Sequence, residues 1–220
     1  MKCCNVLSHS LERVVKPNVA YLRECGLRDC DIAKLCVRRL RLITANLQCL
    51  QAMVGCAENI GIPRHTGMFK HALHCVAFLS EEEIAARVEH LKNTFRWTDA
   101  EVGMAVSRAP MVLNRTKESL QRSSEFRISE VGLEPAYIAQ RPFIFCFSLE
   151  GRLKPRYYVV KFLKANGLLK RDPSYSAVLK ETEKAFRKKF ICHHKEAAQH
   201  LKEDYDAACK GEVLSNFRFA

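Results

Sequence analysis

The chain has no apolar run approaching the roughly 18 to 20 residues that cross a bilayer as a helix, so a soluble protein is expected and membrane attachment is not. It also lacks the motifs of phosphate loops, serine hydrolases, zinc proteases and dinucleotide folds: no GxxxxGK(S/T), GxSxG, HExxH or GxGxxG occurs. Carboxylates are the minority charge, 24 against 36 Lys and Arg, and sit mostly in helix caps or on charged faces. No catalytic residue, no cofactor and no enzyme activity are expected. His71, His74 and Cys75 share a helix face, and Cys192, His193 and His194 are adjacent, yet neither group has a second ligand pair at zinc spacing. No metal is expected. β-structure has little support, the only β-like run being Phe143 to Phe147, which follows a proline. No signal peptide precedes the 11 cysteines, whose odd number and irregular spacing do not read as a disulfide framework. They are read as small buried hydrophobes in a reducing compartment, with Cys36 beside Leu35 and Cys75 beside Val76. Met1 to Ser10 lacks the Arg- and Ser-rich pattern of an organellar transit peptide. Either none exists or the chain begins downstream of one.

What the chain does have is a period. Leu22 stands four before Gly26, and Leu163 four before Gly167; Gly61 and Gly132 fall on the same lattice of about 35 residues. A second mark repeats in the first and last units, where Leu11-Glu12 leads to Lys16-Pro17 as Leu149-Glu150 leads to Lys154-Pro155. Such a period predicts a helical solenoid, each unit burying its apolar face only against its neighbours. At 48% hydrophobic over 220 residues, the chain can form a substantial core.

Each unit reads as a helix, a glycine-marked turn and a second helix, often followed by proline. Val15, Val19 and Leu22 form one apolar stripe, and Gly26 with Leu27 reads as a helix stop. Ile32, Leu35, Cys36 and Leu40 share the face of the next helix. Ser80 with Glu83, and Thr98 with Glu101, are capping boxes; Pro110 and Pro142 are stops; and Pro135 stands near a helix start. Phe95-Arg96 replaces the leucine-glycine turn. A non-glycine residue in the left-handed region costs about 1 kcal/mol or more, so another geometry is expected there. Ile62 to Gly67 is an irregular helix opening. Residues 174–190 and 193–209 are expected to form two closing helices.

The formal net charge of +12 suits an acidic partner. Residues 151–195 hold 13 Lys or Arg against Asp172, Glu181 and Glu183. Such clustering favours phosphate binding over a merely solvated face. Arg108, Arg115, Lys117, Arg122 and Arg141 recur near unit junctions, where a basic track could run. Arg38, Arg39 and Arg41, near a helix end, fit a dipole-stabilising role equally well. Tyr157 and Tyr158 could stack on bases or pack with their hydroxyls at the rim.

Ser148-Leu-Glu-Gly-Arg-Leu-Lys-Pro-Arg-Tyr157, with Val159-Val-Lys-Phe-Leu163 and Gly167-Leu-Leu-Lys170, resembles the C-terminal signature of plant mitochondrial transcription termination factor (mTERF) proteins. Gly132 to Pro142, Arg108 to Leu113, Ala185 to Phe190 and the Asp204-Tyr205 region are similar to other parts of that family. The resemblance implies three-helix units whose concave basic side holds nucleic acid, in mitochondria or chloroplasts, without catalysis. For such a family the chain is short and begins near a unit boundary. The matching basic positions are Arg152, Lys154 and Arg156, preceded by Arg141, and phosphate contacts rather than base reading are expected from them.

The expected fold is therefore all-α, an α-solenoid of mTERF-type repeats over residues 1–170 (units 10–44, 45–79, 80–114, 115–148 and 149–170) with capping helices and a tail over 171–220. The expected partner is nucleic acid, double-stranded DNA first and RNA as the alternative, bound by a monomer through Arg108, Arg115, Lys117, Arg141, Arg152, Lys154, Arg156 and Lys161. The competing readings are a protein-binding helical scaffold and an RNA-binding splicing or ribosome-associated factor.

Overall fold

The structure, a computed structural model, describes residues 11–194 and 200–212. Among these residues every regular element is helical and there is no strand. A π-helical turn over Leu11–Val15 runs into α1 (Lys16–Glu24), followed by α2 (Asp29–Arg38) and a single turn, α3 (Arg41–Thr44). The pattern of long helix, second helix and short closing turn then recurs along the chain. α4 (Leu47–Asn59) is followed by α5 (Phe69–Val76). α6 (Glu81–Phe95) is followed by α7 (Asp99–Arg108) and a 3-10 turn, Pro110–Asn114. α8 (Lys117–Ser124) extends through a π turn, Glu125–Glu130, to α9 (Pro135–Gln140) and a 3-10 turn, Pro142–Cys146. The run Phe143 to Phe147 is thus mainly a helical turn, and the two stop prolines each open the short third helix.

Two compact units emerge, one formed by Met1–Ile128 with Leu133–Pro142, the other by Ser129–Gly132 with Phe143–Ala220. The first has a core built from Leu22, Leu42, Leu50, Leu73 and their neighbours. In the second, α10 (Lys154–Ala165), α11 (Tyr175–Lys180), α12 (Glu183–Phe186) and α13 (Leu201–Cys209) close over Leu163, Phe186, Phe190 and Tyr205. The closing helix expected over 174–190 is two helices, because Thr182 accepts from the Ala185 N–H and starts α12 afresh, as Ser174 does for α11. Of the helix expected over 193–209, Leu201–Cys209 is helical and 195–199 lie outside the described residues, as do Met1 to Ser10.

Both capping boxes form, with reciprocal side-chain and backbone bonds at Ser80/Glu83 and Thr98/Glu101. The lattice glycines carry positive φ: Gly26 at 87°, Gly61 at 84°, Gly132 at 74° and Gly167 at 67°. At the third lattice point, which has no glycine, the expectation of another geometry is overturned. Arg96 itself sits in the left-handed region, at φ 56° and ψ 40°. Its turn closes as the glycine turns do: the Trp97 N–H reaches the Lys92 carbonyl at 2.9 Å, as Leu27 reaches Leu22 at 3.1 Å. Trp97 is what holds it there. It is buried, stacks on Phe95 at 4.7 Å, and donates its indole N–H to the Pro135 carbonyl at 2.9 Å.

The repeated Leu-Glu…Lys-Pro mark also has a physical meaning. Pro17 and Pro155 lack the N–H that would bond four residues back, and each follows a π turn, Leu11–Val15 and Leu149–Leu153. The same ion pair spans both: Lys16 to Glu12 at 2.6 Å and Lys154 to Glu150 at 2.9 Å. Nine described cysteines are free thiols. Cys25, Cys56 and Cys75 fit the reading as buried small hydrophobes, whereas Cys30, Cys49, Cys146 and Cys192 are exposed.

Candidate nucleic-acid interface

A helix end leaves backbone carbonyls without intrahelical partners, and a chain of many short helices has many such ends. Here long helices satisfy them from the side. Asn18 of α1, buried, donates to the Ile43 and Ala45 carbonyls at 2.9 and 2.7 Å. Arg87 of α6 donates to the Leu113 carbonyl at 3.0 Å. Arg152 donates to the Leu179 and Glu181 carbonyls at 2.9 and 2.7 Å. The donor in each case precedes its first acceptor by 25 to 27 residues, so these side chains occupy one structural slot repeated along the chain.

This slot removes two of the expected phosphate ligands. Arg156 is fully buried, its Nη1 donating to the Val178, Leu179 and Glu181 carbonyls and its Nη2 to the Glu183 carboxylate at 3.0 Å. Its guanidinium also lies 4.5 Å over the Phe186 ring. Arg152 lies over Phe147 at 4.3 Å, and burial with the neighbouring Arg156 works against its charge, which Glu183 and Tyr205 support. Both arginines are pins for α11 and α12. Glu183 joins them: burial would raise its pKa, but bonds from Arg156, Arg187 and Tyr205 hold it below the usual carboxylate value. Arg187 continues the network to Asp206 at 2.6 Å.

The remaining candidates divide between the two units. In the second, Lys154 is one-third exposed and paired with Glu150, whereas Lys161 is exposed and lies 6.0 Å from the Tyr157 ring. The tyrosines are occupied: both hydroxyls donate to Glu130, Tyr157 to its carbonyl and Tyr158 to its carboxylate, and Tyr157 packs edge-on against Tyr175. Burial and Glu130 push both phenols up in pKa. This is the rim-packing arrangement rather than a base-stacking platform.

In the first unit, Arg108 and Arg141 meet at the end of α9. Arg108 donates to the Gln140 carbonyl at 3.0 Å, and Arg141 lies 4.1 Å over Tyr137 with Nη1 at 3.5 Å from the Gln140 side chain. Arg115 and Lys117, both exposed, border a groove of about 360 Å³ between α6 and the start of α8. Its opposite wall carries Arg87 and His90, one helical turn apart on α6, which sequence reasoning missed. Their spacing on the polar face of α6 was the available signal. Glu118, next to Lys117 in sequence, has its pKa lowered by its own backbone N–H, by Thr116, and by Lys117 and His90 nearby. The groove is thus a cationic slot, and planar guanidinium and ammonium donors around such a slot suit phosphate oxygens.

Fold and grooves together define an all-helical repeat protein with a surface suited to polyanions. Comparison with known sequences carries this to a family: the mTERF family profile matches residues 1–187, and the chain belongs to the mTERF family. It is similar to "Transcription termination factor MTEF18, mitochondrial" of Arabidopsis thaliana, 28% identical over 116 residues, 53% of this chain and 21% of that protein. It is also similar to "Transcription termination factor MTERF8, chloroplastic" of the same organism, 25% identical over 153 residues, 70% of this chain and 30% of that protein. The chain thus spans only a fifth to three tenths of these relatives.

Proposed function

We propose that this chain is a nucleic-acid-binding repeat segment of an organellar gene-expression regulator, acting in a mitochondrion or chloroplast without catalysis. Family membership supports the class, and the relatives' names support the compartments and a role in transcription termination. The observation that carries the reading is the groove edged by the exposed Arg115 and Lys117, with His90 on its opposite wall beside Arg87, which is held to the Leu113 carbonyl. Arg108, Arg141, Lys154 and Lys161 add phosphate contacts from the exposed or half-exposed surface. Double-stranded DNA is the proposed ligand, because cations arrayed for phosphates without a stacking platform fit a duplex better than unstacked single strands.

The test is binding to duplex DNA, single-stranded RNA and duplex RNA of matched sequence, each from about 50 to 200 mM salt. Duplex DNA is expected to bind most tightly, with a steep fall of log K against log salt. Replacing Lys117 by glutamine is expected to lower the steepness by about 0.9, one phosphate's worth. Preferred binding of either RNA would move the reading to transcript processing. Weak, salt-insensitive binding to all three would overturn it in favour of a protein scaffold.

A further inference from the structure

A second groove, about 320 Å³, lies between α2 and α5 and is lined by Asp31, Lys34, Leu35, Arg38, Lys70, His71 and His74. It brings together residues 32 or more positions apart in sequence, from the second helices of consecutive repeats. Its charge is one-sided. The only carboxylate on its wall, Asp31, is buried and already bound by Lys70 at 2.8 Å and Arg28 at 3.1 Å. Those bonds hold its pKa below the usual range, so it is fully satisfied as an anion. Lys34 and Arg38 are exposed and have no ion-pair partner among the described residues. His74 has its Nδ1 shielded from solvent with no hydrogen-bond partner among the described residues. The two imidazole rings line the groove beside these cations and add positive charge to it when protonated.

The helix end alone does not account for this arrangement. Cations near the last turn of α2 favour its dipole, which covers Arg38. It does not explain why Lys34 and two histidines from another helix face the same void. Nor does a metal fit, since Lys34, Arg38 and Lys70 would repel one. The open space, two cations outside any ion pair among the described residues, a spent carboxylate and two imidazoles that gain charge on protonation all select an anion with several acceptor oxygens.

We propose that the α2–α5 groove binds phosphate, supplied in the working protein by a nucleic-acid backbone. Lys34 and Arg38 contact the phosphate oxygens, and His71 and His74, which line the same groove, add positive charge beside them when protonated. The identity of the phosphate rests on the nucleic-acid reading above; the groove itself does not. A proton-linked behaviour follows. The pKa of His71 is lowered by burial, then Lys70 and Arg38, with Asp31 opposing. That of His74 is lowered by burial, then Arg39, Arg38 and His71. α4 and the Pro110–Asn114 turn also pack on α5, and among the described residues none of the main influences on either ring comes from them. A bound phosphate offsets the neighbouring cations and favours imidazolium, so affinity rises as pH falls toward and below the usual imidazole value.

The experiment has two arms. In the first, the imidazole resonances of His71 and His74 are followed by NMR while inorganic phosphate is added at pH 7, against sodium chloride of equal ionic strength. Phosphate is expected to shift both and raise their pKa, and Lys34→Gln/Arg38→Gln to abolish the shift. In the second, duplex DNA affinity is measured across salt and pH for the wild type, for Lys34→Gln/Arg38→Gln, and for His74→Gln. The double variant is expected to lose about 1.8 from the salt slope, and His74→Gln to flatten the pH dependence. Thermal unfolding of the variants verifies folding, Lys34 and Arg38 being exposed and His74 half-buried. If the wild type binds DNA steeply while the double variant is unchanged, the groove proposal is overturned and the nucleic-acid reading survives. If DNA does not bind but phosphate still moves the two imidazoles, the groove stands as a phosphate site and the nucleic-acid reading fails. Imidazoles that respond to chloride as they do to phosphate overturn the site.

Discussion

Left-handed backbone is the residue-scale constraint that shapes this chain, and two positions show it from opposite sides. At Gly26, φ is 87° and an added Cβ would lie 2.5 Å from His65 Nδ1 and 2.8 Å from its Cα. The backbone of His65, itself at φ 62°, leaves no room, since its N–H bonds the Cys25 carbonyl at 3.1 Å. Gly26→Ala is therefore expected to destabilise by about 2 kcal/mol, combining backbone strain with a clash against main chain. At Arg96 the strain is already present and unaided by any glycine. Arg96→Gly is expected to stabilise by about 1 kcal/mol, the relief of left-handed strain exceeding the entropy added to the unfolded chain. A urea midpoint unchanged or lowered in Arg96→Gly would show that the Arg96 side chain contributes what its backbone costs. The period of 35 made this turn legible; the geometry was not, because it is set by Trp97 packing onto Phe95 and reaching Pro135, contacts made by the fold rather than by local spacing.

At the scale of elements, short helices raise a problem of unpaired carbonyls, and polar side chains from long helices answer it. The slot filled by Asn18, Arg87 and Arg152 recurs with the repeat, and Arg156 doubles it in the last unit. This explains why basic residues recur at unit junctions without all facing solvent. Their periodicity was visible in the sequence, and so were the capping boxes, because those are local. Whether an arginine turns outward to a phosphate or inward to a neighbouring carbonyl depends on tertiary packing about 25 residues away. Arg156→Met is expected to cost about 3 kcal/mol, since it strips three carbonyls and Glu183 of a donor. Hydrogen exchange should accelerate first in α11 and α12; unaltered exchange there would remove the arginine's role as a pin. The same variant, where folded, is expected to keep the wild-type salt slope for DNA, as a fully buried guanidinium touches no phosphate. The network is also acid-sensitive. Glu183 has its pKa depressed in the fold, so its stabilisation is present above the unfolded value and lost as pH falls through the lower folded one. Glu183→Gln is expected to be less stable near pH 6 and to lose less on acidification to about pH 3. Parallel melting curves for the two proteins over that range would contradict it.

At the scale of the whole molecule, a net charge of +12 sets an attraction for polyanions, but placement decides how much of it is usable. The stretch 151–195 illustrates the difference. By composition it is the most basic part of the chain, yet Arg152, Arg156 and Arg187 are committed to carbonyls and carboxylates, and Lys164 and Lys189 pair with Asp172 and Glu181. The all-helical repeat fold was readable from period and apolar stripes alone, since those reflect burial. The interface was readable only as a pool of candidates. A lysine already paired with a carboxylate exchanges one anion for another on binding phosphate and adds little counterion release, whereas an unpaired one contributes a full phosphate's worth. Lys117 and Lys161 are exposed and outside any ion pair among the described residues, while Lys154 and Lys164 are paired. Replacing Lys117 and Lys161 by glutamine is therefore expected to lower the duplex-DNA salt slope by about 1.8, and replacing Lys154 and Lys164 to lower it by less than about 0.9. Both variants change net charge by the same amount. Equal losses would mean that total charge governs binding and that the placement of cations along the repeats has no part in it.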